Sequence, residues 1–330
     1  MSTRLPQFAD IEDAARRIAP WAVRTPLIEN PALNERAGAR VLIKAEPFQR
    51  TGSFKFRGAC NRILLIPEEE RAKGVVAFSS GNHAQGVAAA ASLFGIEATI
   101  VMPLDAPRAK IEGTRSYGAR IVTYDRHTDD REAIARDVQS RTGATLIKPF
   151  DDPFIVAGQG TAGLEMTRQA RELGVELSEV FVPAGGAGLA SGISLAFAHE
   201  SPATRVIAVE PENYDGLGRS LSAGERKAAP GGQPSLADAL LAPMPGEIPF
   251  AIAKRNIAAA LTVSDEDLAR AVSYCVRRLK IVAEPGGTAG LAALLSRRRQ
   301  SQDGPIGIVL SGGNIDPERL LACCERFPEP

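Results

Sequence analysis

Three runs in this sequence put hydroxyl, amide and bare backbone N–H donors straight after short apolar stretches. They are Ser79-Ser80-Gly81-Asn82-His83 after VVAF, Gly185-Gly186-Ala187-Gly188-Leu189 after VFVPA, and Ser311-Gly312-Gly313-Asn314 after GIVL. Glycine admits close backbone approach, and N–H groups at a helix start attract anions. Gly185 to Leu189 precedes the helix-forming stretch Ala190 to Ala198, so it reads either as a phosphate cradle or as an ordinary tight turn. It lacks Gly-Lys-Ser/Thr and Gly-x-Gly-x-x-Gly, which sets aside a Walker loop and the dinucleotide fingerprint. Ser79 to His83 suits a carboxylate or a phenolic oxygen, and equally a helix N-cap. Alone, His83 reads as a structural histidine and Ser311 to Asn314 as a plain turn.

The elements that would carry these loops alternate along the chain. Strands are expected at Gly74–Phe78, Ala98–Met102, Ala119–Tyr124, Ala144–Ile147, Glu179–Pro183, Arg205–Glu210 and Ile306–Ser311, with helices between, the clearest at Asn82–Phe94. Continuous β-branched runs point to parallel sheets covered on both faces, and the alternation gives an α/β fold. In such sheets ligands bind at the carboxyl ends of strands, so the three loops could converge on one ligand. Residues 74–149 read as a small domain inserted into a larger one made of 1–73 and 150–330. The Gly- and Pro-rich segment 224–249 reads as a long surface excursion. Arg297-Arg298-Arg299 reads as the solvated end of a helix.

Composition narrows the function classes. With 330 residues, 44 % hydrophobic and 24 % charged, the chain can bury a core without staples. Lys plus Arg equals Asp plus Glu at 39 each, which argues against nucleic acid or an anionic membrane as partner. No apolar stretch reaches the roughly 20 residues of a membrane span, and Met1 to Asp10 lacks a signal-peptide pattern. The four cysteines form no Cys-x-x-Cys pair and there are three histidines, so no zinc site is expected. A cytoplasmic location fits.

The stretch Gln49-Arg50-Thr51-Gly52-Ser53-Phe54-Lys55-Phe56-Arg57-Gly58-Ala59 resembles the cofactor-lysine motif of the fold-type II pyridoxal-phosphate enzymes. The subgroup is that of the serine/threonine dehydratases and serine racemase. The three loops follow in the subgroup's order. Met102-Pro103, Asp105-Ala106-Pro107, Lys110, Thr114, Tyr117-Gly118-Ala119 and Gly158-Gln159-Gly160-Thr161 also look like it. The resemblance covers about residues 20 to 320.

It implies that Lys55 holds pyridoxal 5′-phosphate as a Schiff base and later acts as general base. Phe54 would lie beside the cofactor ring, Asn82 at its phenolic oxygen, and Gly185, Gly186, Ala187, Gly188 and Leu189 at its phosphate. Ser311 would face the ring nitrogen, with Glu284 close by. Ser79, Ser80, Gly81, Asn82 and His83 would hold the substrate carboxylate. The implied reaction takes L-threonine, L-serine or a related β-hydroxy amino acid to a 2-oxo acid and ammonia. 3-Hydroxyaspartate dehydration and serine racemisation are the alternatives, the latter with Ser80 as second acid/base. From another class, a nucleotide-binding oxidoreductase is disfavoured by the missing fingerprint. A homo-oligomer, dimer or tetramer, is implied.

The sequence departs from the pattern in two places. Ala187 replaces the third of four glycines, and an alanine there needs negative φ or strain. The subgroup's divalent-cation site matches at Glu210, but its second acidic position is Gly216, with Asp215 adjacent. A divalent or monovalent cation at Glu210 is a weak expectation. The chain ends soon after the Ser311 loop, so no distal regulatory domain is expected.

Overall fold

The computed structural model describes residues 4–79, 81–106, 108–125, 128–296 and 304–329. Its strands are β1 (Leu27–Glu29), β2 (Val41–Ala45), β3 (Val75–Phe78), β4 (Ala98–Pro103), β5 (Arg120–Tyr124), β6 (Thr145–Leu146), β7 (Glu179–Pro183), β8 (Arg205–Pro211), β9 (Ile257–Val263) and β10 (Ile306–Leu310). They form two sheets, one ordered β1-β2-β10-β7-β8-β9 and one ordered β5-β4-β3-β6. Pairing is parallel except between β1 and β2. Every residue of β2, β7 and β10 is buried, as apolar runs in a sheet covered on both faces require. The α/β class expected from the sequence is the class observed.

β1, β2 and β9 had no counterpart in the sequence reading. β1 has only three residues. β9 (IAAALTV) is alanine-rich, half-buried and at a sheet edge, so its pattern is weak. β2 hides behind Lys44, a charge in the middle of a buried strand.

That charge belongs to a buried ion cluster. Lys44 Nζ donates to Glu165 Oε2 (2.7 Å), to the Thr25 carbonyl (2.7 Å) and to Gln169 Oε1 (2.8 Å). Arg57 donates through Nε and Nη2 to Glu46 (2.8 and 2.9 Å) and through Nη1 and Nη2 to Glu165 (2.7 and 2.8 Å). Two cations meet two carboxylates, so the cluster is neutral, and charges this deep persist only when so paired. It joins three parts of the chain: β2 and its following turn, the lysine helix (Lys55–Leu64) and the long helix (Pro153–Glu172).

The lysine helix lies between the long helix and the loop helix (Asn82–Leu93). Phe56, Ala59, Cys60 and Ile63 share a core with Val75, Ala77, Val87 and Ile100 of the four-stranded sheet's layer. Asp152 caps the long helix, accepting from Phe154 N and Ile155 N with Pro153 in its first turn.

The segment 224–249 is a surface excursion only as far as residue 236 and then returns to the core. Ala237 is fully buried and Leu240 nearly so, within the six-stranded sheet's core. The Gly- and Pro-rich stretch lets the chain turn back and cover the carboxyl end of β7. Arg297-Arg298-Arg299 lie outside the described residues. Among the described residues no helix is long and apolar enough to cross a membrane.

Candidate active site

Lys55 opens the lysine helix, and the segment before it is pinned to the loop after β10. Ser53 bridges Gly312, Phe54 N donates to the Ser311 carbonyl (3.1 Å), and Gly313 N donates to the Gly52 carbonyl (2.8 Å). Gly52 sits at φ 72°, where a side chain would be strained and would meet Asn314. Lys55 Nζ donates to the Pro149 carbonyl at 2.7 Å and stands 5.2 Å from the Phe54 ring centroid. Burial lowers its pKa to about 8.

The glycine loop turns β7 into the glycine-loop helix (Gly188–Glu200). A methyl on Gly185 would stand 2.9 Å from Leu240 Cα, and one on Gly186 would overlap the Phe150 ring. Ala187 has φ 67° and ψ 5°, the left-handed conformation, so the strain expected of an alanine there is present. Its methyl is buried in the core beneath the loop.

At the loop after β3, Gly81 N donates to Ser79 Oγ (3.1 Å). Asn82 Nδ2 donates to Glu284 Oε1, and Asn314 Nδ2 donates to Asn82 Oδ1 (2.9 Å). These two bonds fix which way the amide points, and one Nδ2 hydrogen remains. The His83 ring bonds through Nε2 to the Ile147 carbonyl (3.0 Å), while buried Nδ1 has no protein partner. Burial and the Lys55 charge depress its pKa to about 3, so His83 is neutral and Nδ1 is an acceptor. Ser80 lies outside the described residues.

These groups line one cavity of about 270 Å³: Phe54, Lys55, Ser79, Gly81, Asn82, His83, Gly185 to Leu189 and Ser311. The convergence expected of the three loops is therefore observed. Glu284 stands just behind, through Asn82. Glu210 stands apart, its oxygens accepting from Leu217 N and Gly218 N (both 2.8 Å) at the start of the helix Gly216–Ala223. Among the described residues no group of three or more His, Cys, Asp or Glu side chains could hold a metal.

Several residues of the cavity wall carry no role that the sequence alone assigns. Lys110 is 3 % exposed, with Nζ 2.7 Å from Asp238 Oδ2 and 3.2 Å from Glu284 Oε2. Burial presses its ammonium down, but Glu284 and Asp238 outweigh that and raise its pKa. Burial raises Glu284, against the pull of Lys110. Asp238 arrives on segment 224–249, and Phe150, Arg131 and Arg319 also line the wall. Lys110 lay within the resembling stretch, whereas the others carry no local signal.

The family profile described as "Pyridoxal-phosphate dependent enzyme" matches residues 18–312. The chain belongs to that family. It is similar to L-threo-3-hydroxyaspartate ammonia-lyase of Saccharomyces cerevisiae, 42 % identical over 96 % of this chain and 95 % of that protein. It is similar to serine racemase of Schizosaccharomyces pombe, 41 % identical over 96 % of each. Among solved structures it resembles the threonine deaminase of T.th., with a TM-score of 0.89, 44 % identity, and coverage of 94 % of this chain and 99 % of that one.

The residues present fit the family's cofactor. An amine held near neutrality suits its aldehyde, and the loop at Gly185 and Gly186 leaves no room for side chains and runs into a helix start, where backbone N–H groups attract anions. Ser311 brings a hydroxyl rather than a carboxylate to the cavity wall. This enzyme's cofactor is pyridoxal phosphate.

Proposed function

We propose that this chain is an ammonia-lyase converting a small β-hydroxy amino acid, L-threonine or L-serine in the first instance, to a 2-oxo acid and ammonia. The observation that carries the reading is the Lys55 amine, lowered to about 8 and opening into the cavity that Ser79, Gly81, Asn82 and His83 also line. An amine near neutrality accepts and returns the α-proton at Nζ without large cost in either direction. The Ser79 hydroxyl and the loop's N–H groups hold the substrate carboxylate. Asn82 orients the cofactor through its remaining hydrogen, with Glu284 and Asn314 fixing the amide, while Phe54 packs on the ring. The glycine loop with Ala187 and Leu189 holds the phosphate, and Ser311 meets the ring nitrogen. Bound pyridoxal phosphate supplies the electron sink for bonds broken at Cα.

A second reading, 3-hydroxyaspartate as substrate, is favoured by Arg131 and Arg319 on the cavity wall. A β-carboxylate there would meet guanidinium groups, whereas the methyl of threonine would not use them. Serine racemisation is the third, with Ser80 proposed from its sequence position as second acid/base. Chiral analysis of serine with Ser80→Ala tests it.

The two-sheet layout supports 74–149 as the closing domain, with 1–73 and 150–330 holding the cofactor. A cytoplasmic dimer or tetramer, with a cation at Glu210, completes the proposal. Light scattering and the thermal midpoint with and without Mg²⁺ or K⁺ test those parts.

The deciding experiment compares wild type with Lys55→Ala. It records visible cofactor absorption and oxo-acid release from L-threonine, L-serine and L-threo-3-hydroxyaspartate. Absorption and turnover lost together in the variant are expected. A wild type that gains no absorption on adding pyridoxal phosphate, or one that binds it and turns over none of the three, overturns the proposal.

A further inference from the structure

The loop helix contains an alanine run, Ala88 to Ala91, yet its fifth residue is Gly86, a poorer helix former. Its surroundings explain the choice. A methyl on Gly86 would stand 3.1 Å from the Lys55 carbonyl carbon and 3.2 Å from both the Lys55 carbonyl oxygen and Phe56 N. Those are main-chain atoms of the lysine's own peptide unit, which cannot rotate aside as a side chain can. The helix that begins with the substrate-loop residues Asn82 and His83 therefore rests directly on the main chain of Lys55.

The long helix makes a matching contact. A methyl on its Gly158 would stand 2.6 Å from Gly58 Cα and 2.9 Å from the Arg57 carbonyl oxygen. Arg57, two residues on from Lys55 and so on the other side of the helix, is fully buried and clamps Glu46 and Glu165 through four hydrogen bonds. The lysine helix has no side-chain N-cap and no acid in its first turn, so its start is held by these contacts together with the bonds of Ser53 and Phe54 to the loop after β10.

We propose that Gly86 and Arg57 are positioning residues for Lys55: Gly86 lets the loop helix seat against the lysine's main chain, and Arg57 locks the same helical turn from behind. The inference rests on Lys55 being the cofactor lysine. A methyl at position 86 forces a displacement of a few tenths of an ångström. Misplacement by about 1 Å can cost on the order of a hundredfold in rate, so about tenfold is expected here. Arg57→Lys keeps the charge but loses the planar fork, and the same effect is expected.

The test uses cofactor-free wild type, Gly86→Ala and Arg57→Lys. Each is given pyridoxal phosphate between about pH 6 and 10 while visible absorption is followed, with far-UV circular dichroism to establish folding. Both variants are expected to fold and to capture the cofactor about tenfold more slowly. The pH midpoint of capture should move above the wild-type value near 8, because a shifted main chain readmits water to the amine. The kcat for L-serine should fall about tenfold with KM within about twofold. Arg57→Lys decides alone if Gly86→Ala does not fold. Folded variants with wild-type capture rate, pH midpoint and kcat overturn the inference. A wild type that captures no cofactor overturns the family-based role of Lys55 and this inference with it.

Discussion

Removing Glu165 should cost more stability than removing Lys44, and removing both should cost less than the sum. Glu165→Met leaves Lys44 fully buried with a charge and only the Thr25 carbonyl and Gln169 Oε1 as partners. Breaking a buried pair this way costs about 3–5 kcal/mol. The upper end is capped because Lys44, already pushed down by burial, can shed its proton, at about 5 kcal/mol near pH 7. Lys44→Met leaves Glu165, whose side chain is 21 % exposed and still bidentate with Arg57, so the loss is about 1–3 kcal/mol. In the double variant no charge is stranded, since Arg57 retains both bonds to Glu46, and the cost falls to about 1–2 kcal/mol. Urea unfolding of the four proteins, followed by circular dichroism, measures the cycle. The double variant should fall at least about 2 kcal/mol short of the sum. Additivity within about 0.5 kcal/mol would refute the assignment of a shared, buried charge balance.

Gly186→Ala should abolish tight cofactor binding while the chain still folds, because the methyl contests the space of Phe150; equilibrium titration with pyridoxal phosphate measures it. In Ala187→Gly, relief of about 1–2 kcal/mol of left-handed strain is offset by a lost buried methyl of about 0.8 kcal/mol and a more flexible unfolded chain. Stability should therefore change by less than about 1 kcal/mol, as denaturant midpoints will show. His83 is neutral in the fold with a pKa of about 3, whereas the unfolded chain protonates it below about 6.5. The unfolded state then binds one more proton, so stability falls by about 1.4 kcal/mol per pH unit as pH drops from about 6.5 toward 3. His83→Gln should flatten that slope in pH-dependent unfolding of the cofactor-free protein. Arg131→Met and Arg319→Met should raise KM for L-threo-3-hydroxyaspartate about tenfold while leaving that for L-serine within about twofold, and equal changes for both would refute the acidic-substrate reading.

The legible parts of the site were those written locally. Each of the three loops follows its own strand within a few residues, so strand, glycine and hydroxyl could be read together at Ser79, Gly185 and Ser311. Lys55 became legible only through the residues around it. The cover was not legible: Asp238, Phe150 and Arg319 reach the cavity from segments whose composition says turn or surface, and their role depends on where the chain returns. Lys44 hid β2 for a related reason, because its partner Glu165 is 121 residues away in sequence. The left-handed Ala187 was visible as a conflict, and the conflict is real in the fold.

β10 follows every other strand described in the chain and yet lies in the interior of its sheet, between β2 and β7. A ribosome delivers residues 306–310 only after both neighbours have emerged, so any part of the sheet that forms earlier leaves strand edges of β2 and β7 unpaired. Such edges invite pairing with other chains. Ser311 and the Gly312 contact to Ser53 arrive with the same strand, which means the lysine segment is pinned only once synthesis has passed that point. A site that needs this pinned segment is complete only after β10 has been made, and a chain cut short before it would lack both the keystone of the sheet and one wall of the site.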